Sequence, residues 1–284
     1  MNTDVPGSTL AGGHLGGELM TVMIVIVGGL LFAVWHSFSD ALAWRIFTAY
    51  YSAERKKITH KLAFIFGSSS RCEYCSAPVP ALGLIPVAGF FLMKGRCRAC
   101  ERKLSYRFPV FEGLAAVYGM LLAFSGVTAA EFAVSLIAYL LVWLVVSTDY
   151  RVLLIPTEAI LGLLILGIVY LLTMKNPHWY EFKDTGLGID LAVAFVWFFL
   201  FHMLRILSGY KMGLADVRLV LALGFLLGHP LALFLPGFAA MLAIGFYLVR
   251  RYSILIYAPS DTQIPFGVFL GAGYLLLNLA GRLV

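Results

Sequence analysis

The chain has 284 residues, of which 61% are hydrophobic and only 13% charged, and its formal net charge is +6. Its mean hydropathy of +0.90 excludes a soluble globular protein, because the polar side chains are too few to cover a folded surface. We therefore expect an integral membrane protein.

Long apolar windows recur along the chain, and about 20 helical residues are needed to cross the hydrocarbon layer of a bilayer. The sixth window, residues 219–249, is too long for one helix and contains the sequence GHP at residues 228–230, so we divide it into two spans. We predict an all-α membrane protein, a polytopic bundle of about eight transmembrane helices. The windows lie at residues 19–35, 113–130, 132–148, 159–174, 191–204, 219–249 and 262–281.

The first window is predicted to be a retained span, because Asp4 and Glu18 precede it and no Lys or Arg does, unlike the basic start of a signal peptide. We divide the chain into an N-terminal segment with the first transmembrane helix (residues 1–45), a polar cytosolic loop (46–107) and a membrane core of about seven helices (108–284). We identify no internal repeat.

The distribution of basic residues predicts the orientation. Of the 21 Lys and Arg residues, 12 lie between Arg45 and Arg107, against three acidic residues. The positive-inside rule places this segment in the cytoplasm and the N-terminus outside. The same rule, together with attraction to anionic lipid, accounts for the net charge, so we expect no nucleic-acid partner.

All four cysteines lie in the polar loop, as CEYC (Cys72, Cys75) and, after 21 intervening residues, CRAC (Cys97, Cys100). Two such pairs are typical of one tetrahedral Zn²⁺ bound by four thiolates. A reducing cytosol disfavours disulfides; four reduced thiols, or a redox pair, remain as alternatives. A closed site of this kind would stabilise a small zinc-binding insertion rather than catalyse a reaction.

Two aspartates are predicted to lie at the same, cytoplasmic, membrane face. Asp149 is at the end of the third span and Asp216 at the start of the sixth. Gly213, three residues before Asp216, would make the start of the sixth span flexible. Two adjacent carboxylates cannot both ionise at low cost, and such a pair can activate water and polarise a peptide carbonyl. The alternative is a pair of solvated helix-end residues, with Asp216 interacting with its helix dipole.

Other ionisable residues in or near the spans are weaker candidates. Glu112 and Glu158 lie about one turn inside the second and fourth spans and could support the fold or contact a cofactor. Asp190 is expected to be solvated near the outer face. His202 is expected to be packed or hydrogen-bonded rather than a ligand.

Taken together, these residues resemble the bacterial prepilin peptidase family, the type IV leader peptidases that also N-methylate the trimmed pilin. The cysteine loop is similar to the family's zinc-binding loop, and GLADVRL resembles its second aspartate motif. The resemblance covers nearly the whole chain. Its segments are HSFSDALAWR (36–45), the cysteine loop (70–116), Asp149 to Pro156, GLADVRL (213–219) and IPFGVFLGAG (264–273).

The resemblance implies an aspartic endopeptidase of the inner membrane, with Asp149 and Asp216 as catalytic residues. Its substrates would be type IV prepilins or pseudopilins, cut at the cytoplasmic face. It also implies methyl transfer from S-adenosylmethionine to the new N-terminus. No glycine-rich nucleotide loop is visible, and only Gly95 and Glu112 are candidates, by position, for contacting the methyl donor.

The sequence departs from the family pattern at several positions. Ala215 replaces a glycine beside the second aspartate and Arg218 replaces a lysine, which puts substrate choice in doubt. The remaining departures are Glu73, His36 and Asp40.

Two other functions remain open. The protein could be a peptidase without methyltransferase activity, or a non-enzymatic, zinc-stabilised membrane transporter or assembly factor.

Overall fold

The computed structural model describes residues 11–50, 60–72, 74–175, 185–252 and 264–283. Within them, seven helices are long and apolar enough to cross a membrane. The chain forms two compact units. We call them the loop unit (Met1–Ser37 and Arg71–Thr128) and the core unit (Phe38–Ser70 and Ala129–Val284). The three-part division predicted at residues 45 and 107 stays a prediction.

The loop unit contains the first part of the longest helix and the cysteine segment. The first and fourth helices pack closely, because a β-carbon at Gly119 would lie 2.5 Å from the backbone oxygen of Gly28. The described helices are α1 (Ala11–Tyr50), which continues into the core unit, a 3-10 turn (Ala81–Leu84), α3 (Ala88–Leu92) and α4 (Arg107–Phe124).

Two predicted windows have different limits in the structure. The first, 19–35, lies within α1, which has 40 residues. The second, 113–130, runs past the end of α4 into a turn at Gly126, whose φ of 74° ends the helix. Hydropathy alone does not mark this boundary, because the turn residues are themselves small and uncharged.

The core unit consists of residues 38–50 of α1 and the remaining helices. At its centre is α8, which packs against α6, α7, α9 and α10 and has nine of its 14 residues buried. From Leu219 onward α8 is apolar on every side, as expected of a helix inside a bundle. The helices are α2 (Lys61–Gly67), α5 (Ala129–Val152), α6 (Thr157–Tyr170), α7 (Thr185–Leu207), α8 (Leu214–Leu227), α9 (Leu231–Tyr252) and α10 (Phe266–Leu283).

The predicted division of the long sixth window into two helices is confirmed, although only the second, α9, is among the seven helices long enough to cross a membrane, since α8 has 14 residues. α8 ends at Leu227 and α9 begins at Leu231, with GHP between them. Gly228 has a φ of 61°, a left-handed conformation that favours glycine. The chain therefore reverses direction where the sequence predicted.

Asp190, near the start of α7, is buried rather than solvated, so that prediction was wrong. The residue is 2% exposed, and its carboxylate lies 3.0 Å from Lys175 Nζ and accepts a hydrogen bond from the backbone N–H of His229. Lys175 Nζ also donates to the His229 carbonyl at 2.9 Å. This cluster, which we call the lysine cluster, joins the π-helical segment Leu171–Lys175, which directly follows α6, to α7 and to the α8–α9 turn.

A second cluster, the arginine cluster, joins three further helix ends. Arg282 Nη1 lies 2.6 Å from Glu131 Oε1, and Arg282 Nη2 donates to the Tyr170 hydroxyl at 3.1 Å. These residues lie at the end of α10, the start of α5 and the end of α6. Because Lys175 follows Tyr170 by little more than one turn, both clusters lie at the same end of the core unit.

We expect Asp190→Ala to lower the free energy of unfolding by about 2–4 kcal/mol, because it leaves Lys175 without its carboxylate partner. Thermal unfolding in detergent would measure the change. Glu158→Ala removes an exposed carboxylate from α6 and is the matched control, expected to change stability by less than about 0.5 kcal/mol. Equal stability of the two variants would contradict a stabilising role for the lysine cluster.

Candidate active site and metal centre

Asp149 lies in the last turn of α5 and is 5% exposed. Its Oδ2 accepts a hydrogen bond from the backbone N–H of Val268 at 3.2 Å, and the N–H of Gly267 also donates to the carboxylate. These amides belong to the first turn of α10, where N–H groups have no partner within the helix. The start of α10 therefore holds the Asp149 carboxylate.

Asp216 is the third residue of α8 and is partly buried. Its carboxylate accepts a hydrogen bond from the backbone N–H of Gly213, the N-cap residue. This contact is one half of a capping box. Gly213 has an ordinary extended conformation, φ −66° and ψ 141°, so the turn does not use the flexibility expected of a glycine there.

The structure brings Asp149 and Asp216 together, as the sequence predicted, and the two carboxylates interact electrostatically. They come from the end of α5 and the start of α8, and both accept hydrogen bonds from backbone amides at helix starts. Two neighbouring carboxylates removed from bulk water can share one proton, with one member ionised and the other protonated. The pair can therefore supply a general base that takes a proton from water and a general acid that donates to the group under attack.

Gly267 is a site residue whose role the sequence did not indicate, although its motif was recognised. A β-carbon at this position would lie 2.9 Å from Asp149 Oδ2 and 2.8 Å from Ile155 Cδ1. The Pro-Phe-Gly sequence thus allows the first turn of α10 to approach the carboxylate. A glycine just inside the start of an apolar helix was the available signal.

We expect Gly267→Ala to lower kcat for peptide cleavage by about 10- to 100-fold, because the added methyl group displaces the Asp149 carboxylate. Gly273→Ala on the same helix is the control, since its nearest neighbour would be 3.4 Å away. Steady-state kinetics of both purified variants would test this. Equal kcat values of the two variants would contradict this expectation, because α10 would then be able to shift and accommodate the methyl group.

The second predicted site, in the loop unit, consists of the four cysteines. All four Sγ atoms lie within 4.8 Å of one another, and the Cys72–Cys100 and Cys75–Cys97 pairs are each 3.9 Å apart. Four thiolates around one Zn²⁺, each at about 2.3 Å, would be separated by about 3.8 Å. The cysteines are thus arranged closely enough to hold one metal ion.

The two cysteine pairs lie in hairpins that are copies of each other. Cys72 N–H donates to the Ala77 carbonyl at 2.9 Å, and Cys97 N–H donates to the Arg102 carbonyl at 3.0 Å. Single β-bridges close both hairpins, at Arg71–Pro78 and Arg96–Lys103. This local repeat was not predicted, although the shared Arg-Cys-x-x-Cys sequence at residues 71–75 and 96–100 indicates it.

Backbone amides within the hairpins also stabilise thiolates. Tyr74 N–H donates to Cys72 Sγ at 3.5 Å, and Ala99 N–H donates to Cys97 Sγ at 3.4 Å. Hydrogen bonds from the Cys100 and Ala99 amides lower the pKa of the Cys97 thiol to about 6. The Ala77 amide lowers the pKa of the Cys75 thiol, but desolvation and hydrogen bonds with the other three cysteines raise it more, to about 11. Cys97 is therefore in the thiolate form that binds metal, whereas Cys75 would release its proton on binding one.

The chain is similar to known proteins over most of its length. Residues 30–125 match the bacterial peptidase A24 N-terminal domain, and residues 135–249 match the type IV leader peptidase family. A prepilin leader peptidase/N-methyltransferase of Aeromonas salmonicida is 31% identical over 217 residues, which cover 73% of this chain and 70% of that protein. The chain belongs to the type IV leader peptidase family.

Two other relatives extend the likeness over most of the chain. The prepilin leader peptidase/N-methyltransferase of Aeromonas hydrophila is 28% identical over 272 residues, covering 92% of this chain and 89% of that protein. A type 4 prepilin-like proteins leader peptide-processing enzyme of Escherichia coli is 28% identical over 270 residues, covering 88% and 91%. No solved structure matches the chain.

The departures from the type IV leader peptidase pattern lie in different surroundings. Ala215 packs against the core beside Asp216, whereas Arg218 is exposed. Asp40 accepts a hydrogen bond from Trp143 Nε1 at 3.3 Å, and His36 is buried. Glu73 lies outside the described residues.

The two positions suggested for the methyl donor have structural contacts. Glu112 Oε2 accepts a hydrogen bond from the backbone N–H of Val87 at 2.6 Å, and Val87 has a φ of 59°. Gly95 has a φ of 61°, and its carbonyl accepts a hydrogen bond from Leu104 N–H at 2.8 Å. Both residues thus stabilise turns of the loop unit, and their role toward a methyl donor stays a prediction.

Proposed function

We propose that this protein removes the leader from prepilin-like proteins, with Asp149 and Asp216 as the catalytic residues. The observation that carries the proposal is the pair of interacting carboxylates held by the first turns of α8 and α10. Membership of the type IV leader peptidase family supports it, as do relatives named for prepilin leader cleavage. Family membership also disfavours a transporter or assembly factor.

The proposed mechanism divides the roles between the two carboxyl groups. The ionised member takes a proton from a water molecule, whose oxygen attacks the carbonyl carbon of the scissile peptide bond. The protonated member donates a hydrogen bond to the carbonyl oxygen and stabilises the negative charge that develops there. Proton transfer to the departing nitrogen then breaks the C–N bond. The amides of Gly267 and Val268 keep the Asp149 carboxylate oriented throughout.

We place the site at the cytoplasmic face of the inner membrane. In this orientation Asp149, Asp216 and the cysteine loop lie on the cytoplasmic side, and the N-terminus lies outside the cell membrane. A prepilin whose apolar helix lies in the bilayer would present its cytosolic leader at this level.

For the loop unit we propose a structural Zn²⁺ ion bound by Cys72, Cys75, Cys97 and Cys100. Four thiolates complete a tetrahedral site and leave no position for a reacting water molecule. The metal would hold together two hairpins that have little apolar core of their own.

We also propose that the protein N-methylates the trimmed pilin with S-adenosylmethionine. A relative that matches 92% of this chain is named a prepilin leader peptidase/N-methyltransferase. This chain also retains the cysteine loop, within the matched N-terminal domain. Gly95 and Glu112 remain the positional candidates for the methyl-donor site.

Mass spectrometry of a prepilin co-expressed with this protein tests both activities. We expect a trimmed N-terminus heavier by one methyl group. A trimmed but unmethylated N-terminus would leave a peptidase without methyltransferase activity. An intact leader would contradict the proposed function.

A further inference from the structure

Three polar atoms on α7 are buried and have no hydrogen-bond partner among the residues that the structure describes. They are Trp197 Nε1, His202 Nδ1 and Arg205 Nε. Buried polar atoms are nearly always paired, because an unpaired one keeps the cost of leaving water without recovering a hydrogen bond. Three of them on one helix therefore require an explanation.

These atoms lie on the inward side of α7. Trp197, Phe201 and Arg205 are spaced four residues apart and form one stripe. His202 borders this stripe, because it lies three residues before Arg205. Phe201, within the stripe, is 5% exposed. The opposite side of α7 is exposed and apolar, and carries Val196, Phe199, Leu200, Met203 and Leu204.

The stripe adjoins the carboxylate pair. The ring of Phe201 lies 6.1 Å from the ring of Phe266, the residue immediately before Gly267. Trp197 contacts Phe201 edge-on at 6.3 Å. In addition, α7 packs against α8, whose first turn carries Asp216. The unpaired atoms thus belong to a helix that packs beside the helix starts carrying Asp216 and Gly267.

A substrate at this site needs hydrogen-bond donors. An aspartic pair attacks a peptide bond whose flanking residues are not helical, so their carbonyl groups lack their intrahelical partners. Away from water each such carbonyl must find a donor elsewhere. Arg Nε and Trp Nε1 can only donate, and His Nδ1 donates in one of its neutral tautomers.

The length of the stripe suits such a segment. The eight residue steps from Trp197 to Arg205 rise by about 12 Å along the helix. An extended chain covers this distance in about four residues. The donors are therefore spread over the length of backbone that surrounds one cleaved bond.

We propose that Trp197, His202 and Arg205, which we call the donor stripe, bind the backbone carbonyl groups of the substrate segment around the scissile bond. This inference rests on the proposed peptidase function and adds positioning residues to it. It also explains why the donors are unpaired in the free protein.

Trp197→Phe tests the proposal, because it removes the indole N–H and keeps an aromatic ring. We expect KM for a purified prepilin in detergent micelles to rise about 3- to 10-fold, with kcat changed less than about twofold. The melting temperature of the free protein should stay the same or rise, since an unsatisfied donor is removed. A purely structural role predicts the reverse, a lower melting temperature with unchanged KM, and would overturn the proposal.

Trp143→Phe is the matched control, because its indole N–H already donates to Asp40. We expect a lower melting temperature and an unchanged KM. Arg205→Lys is a second test, which keeps the positive charge and removes the Nε donor, and we expect its KM to rise as well. An unchanged KM in both Trp197→Phe and Arg205→Lys would refute the donor stripe.

A binding assay separates this inference from the proposed catalytic pair. In an Asp149→Asn background, Trp197→Phe should weaken binding of the same prepilin about 3- to 10-fold. If Asp149→Asn still cleaves, the catalytic assignment fails, whereas the affinity comparison continues to test the stripe. Equal affinities with and without Trp197→Phe would reject the stripe alone.

Discussion

Asp149→Asn and Asp216→Asn should each reduce leader removal by about 100- to 10,000-fold or more, because the pair needs one ionised and one protonated carboxyl group. Asparagine has nearly the same shape, and its oxygen can still accept the hydrogen bonds from the helix amides. Its amide group, however, neither takes a proton from water nor holds one for the leaving nitrogen. The amount of trimmed pilin after co-expression, measured at equal enzyme levels, gives the result.

Asp40→Asn is the matched control for this experiment. It changes a partly buried carboxylate of the same unit to an amide, which keeps an oxygen to accept the Trp143 hydrogen bond. We expect nearly full cleavage. Melting temperatures of all three variants should lie close to that of the parent. An active Asp149→Asn or Asp216→Asn variant would exclude a catalytic pair at this position.

Cys72→Ser or Cys97→Ser should remove the bound metal and unfold the cysteine segment. Binding of structural zinc contributes on the order of 10 kcal/mol to small domains that depend on it. The parent protein is expected to contain one zinc ion per chain by elemental analysis, and either variant much less than one. Because the proposed catalytic aspartates belong to the core unit, methylation should fall further than cleavage.

Arg98→Ala provides the comparison, since it alters an exposed residue of the second hairpin without removing a ligand. It should retain zinc and both activities. Equal and complete loss of cleavage and methylation in the cysteine variants would count against separate sites. Zinc-free parent protein with full activity would contradict a structural metal.

Features set by short stretches of sequence were predicted well. The cysteine cluster needs only two pairs with a suitable separation, and the break between α8 and α9 needs only Gly228 and Pro230. The convergence of Asp149 and Asp216 followed from alternating the spans across the membrane. In each case the signal lies within a few residues or in a simple rule about topology.

Features that depend on distant partners were not predictable from sequence alone. Asp190 was expected in solvent, because nothing nearby in sequence shows that Lys175 and the His229 amide meet it. The amide of Val268 reaches a carboxylate 119 residues away. The unpaired atoms of the donor stripe are also invisible in sequence, since whether a buried donor has a partner depends on the packing of several helices.

The lysine and arginine clusters fasten the helices at the end of the core unit that is opposite the carboxylate pair. On α5 this separates Glu131 from Asp149 by 18 residues, or about 27 Å. If α5 is held at its Glu131 end, a tilt of about 5° at that end displaces the Asp149 end by about 2 Å. The ion pairs therefore restrain the helix ends that lie far from the aspartates, and any small rotation of α5 about them displaces the Asp149 end most.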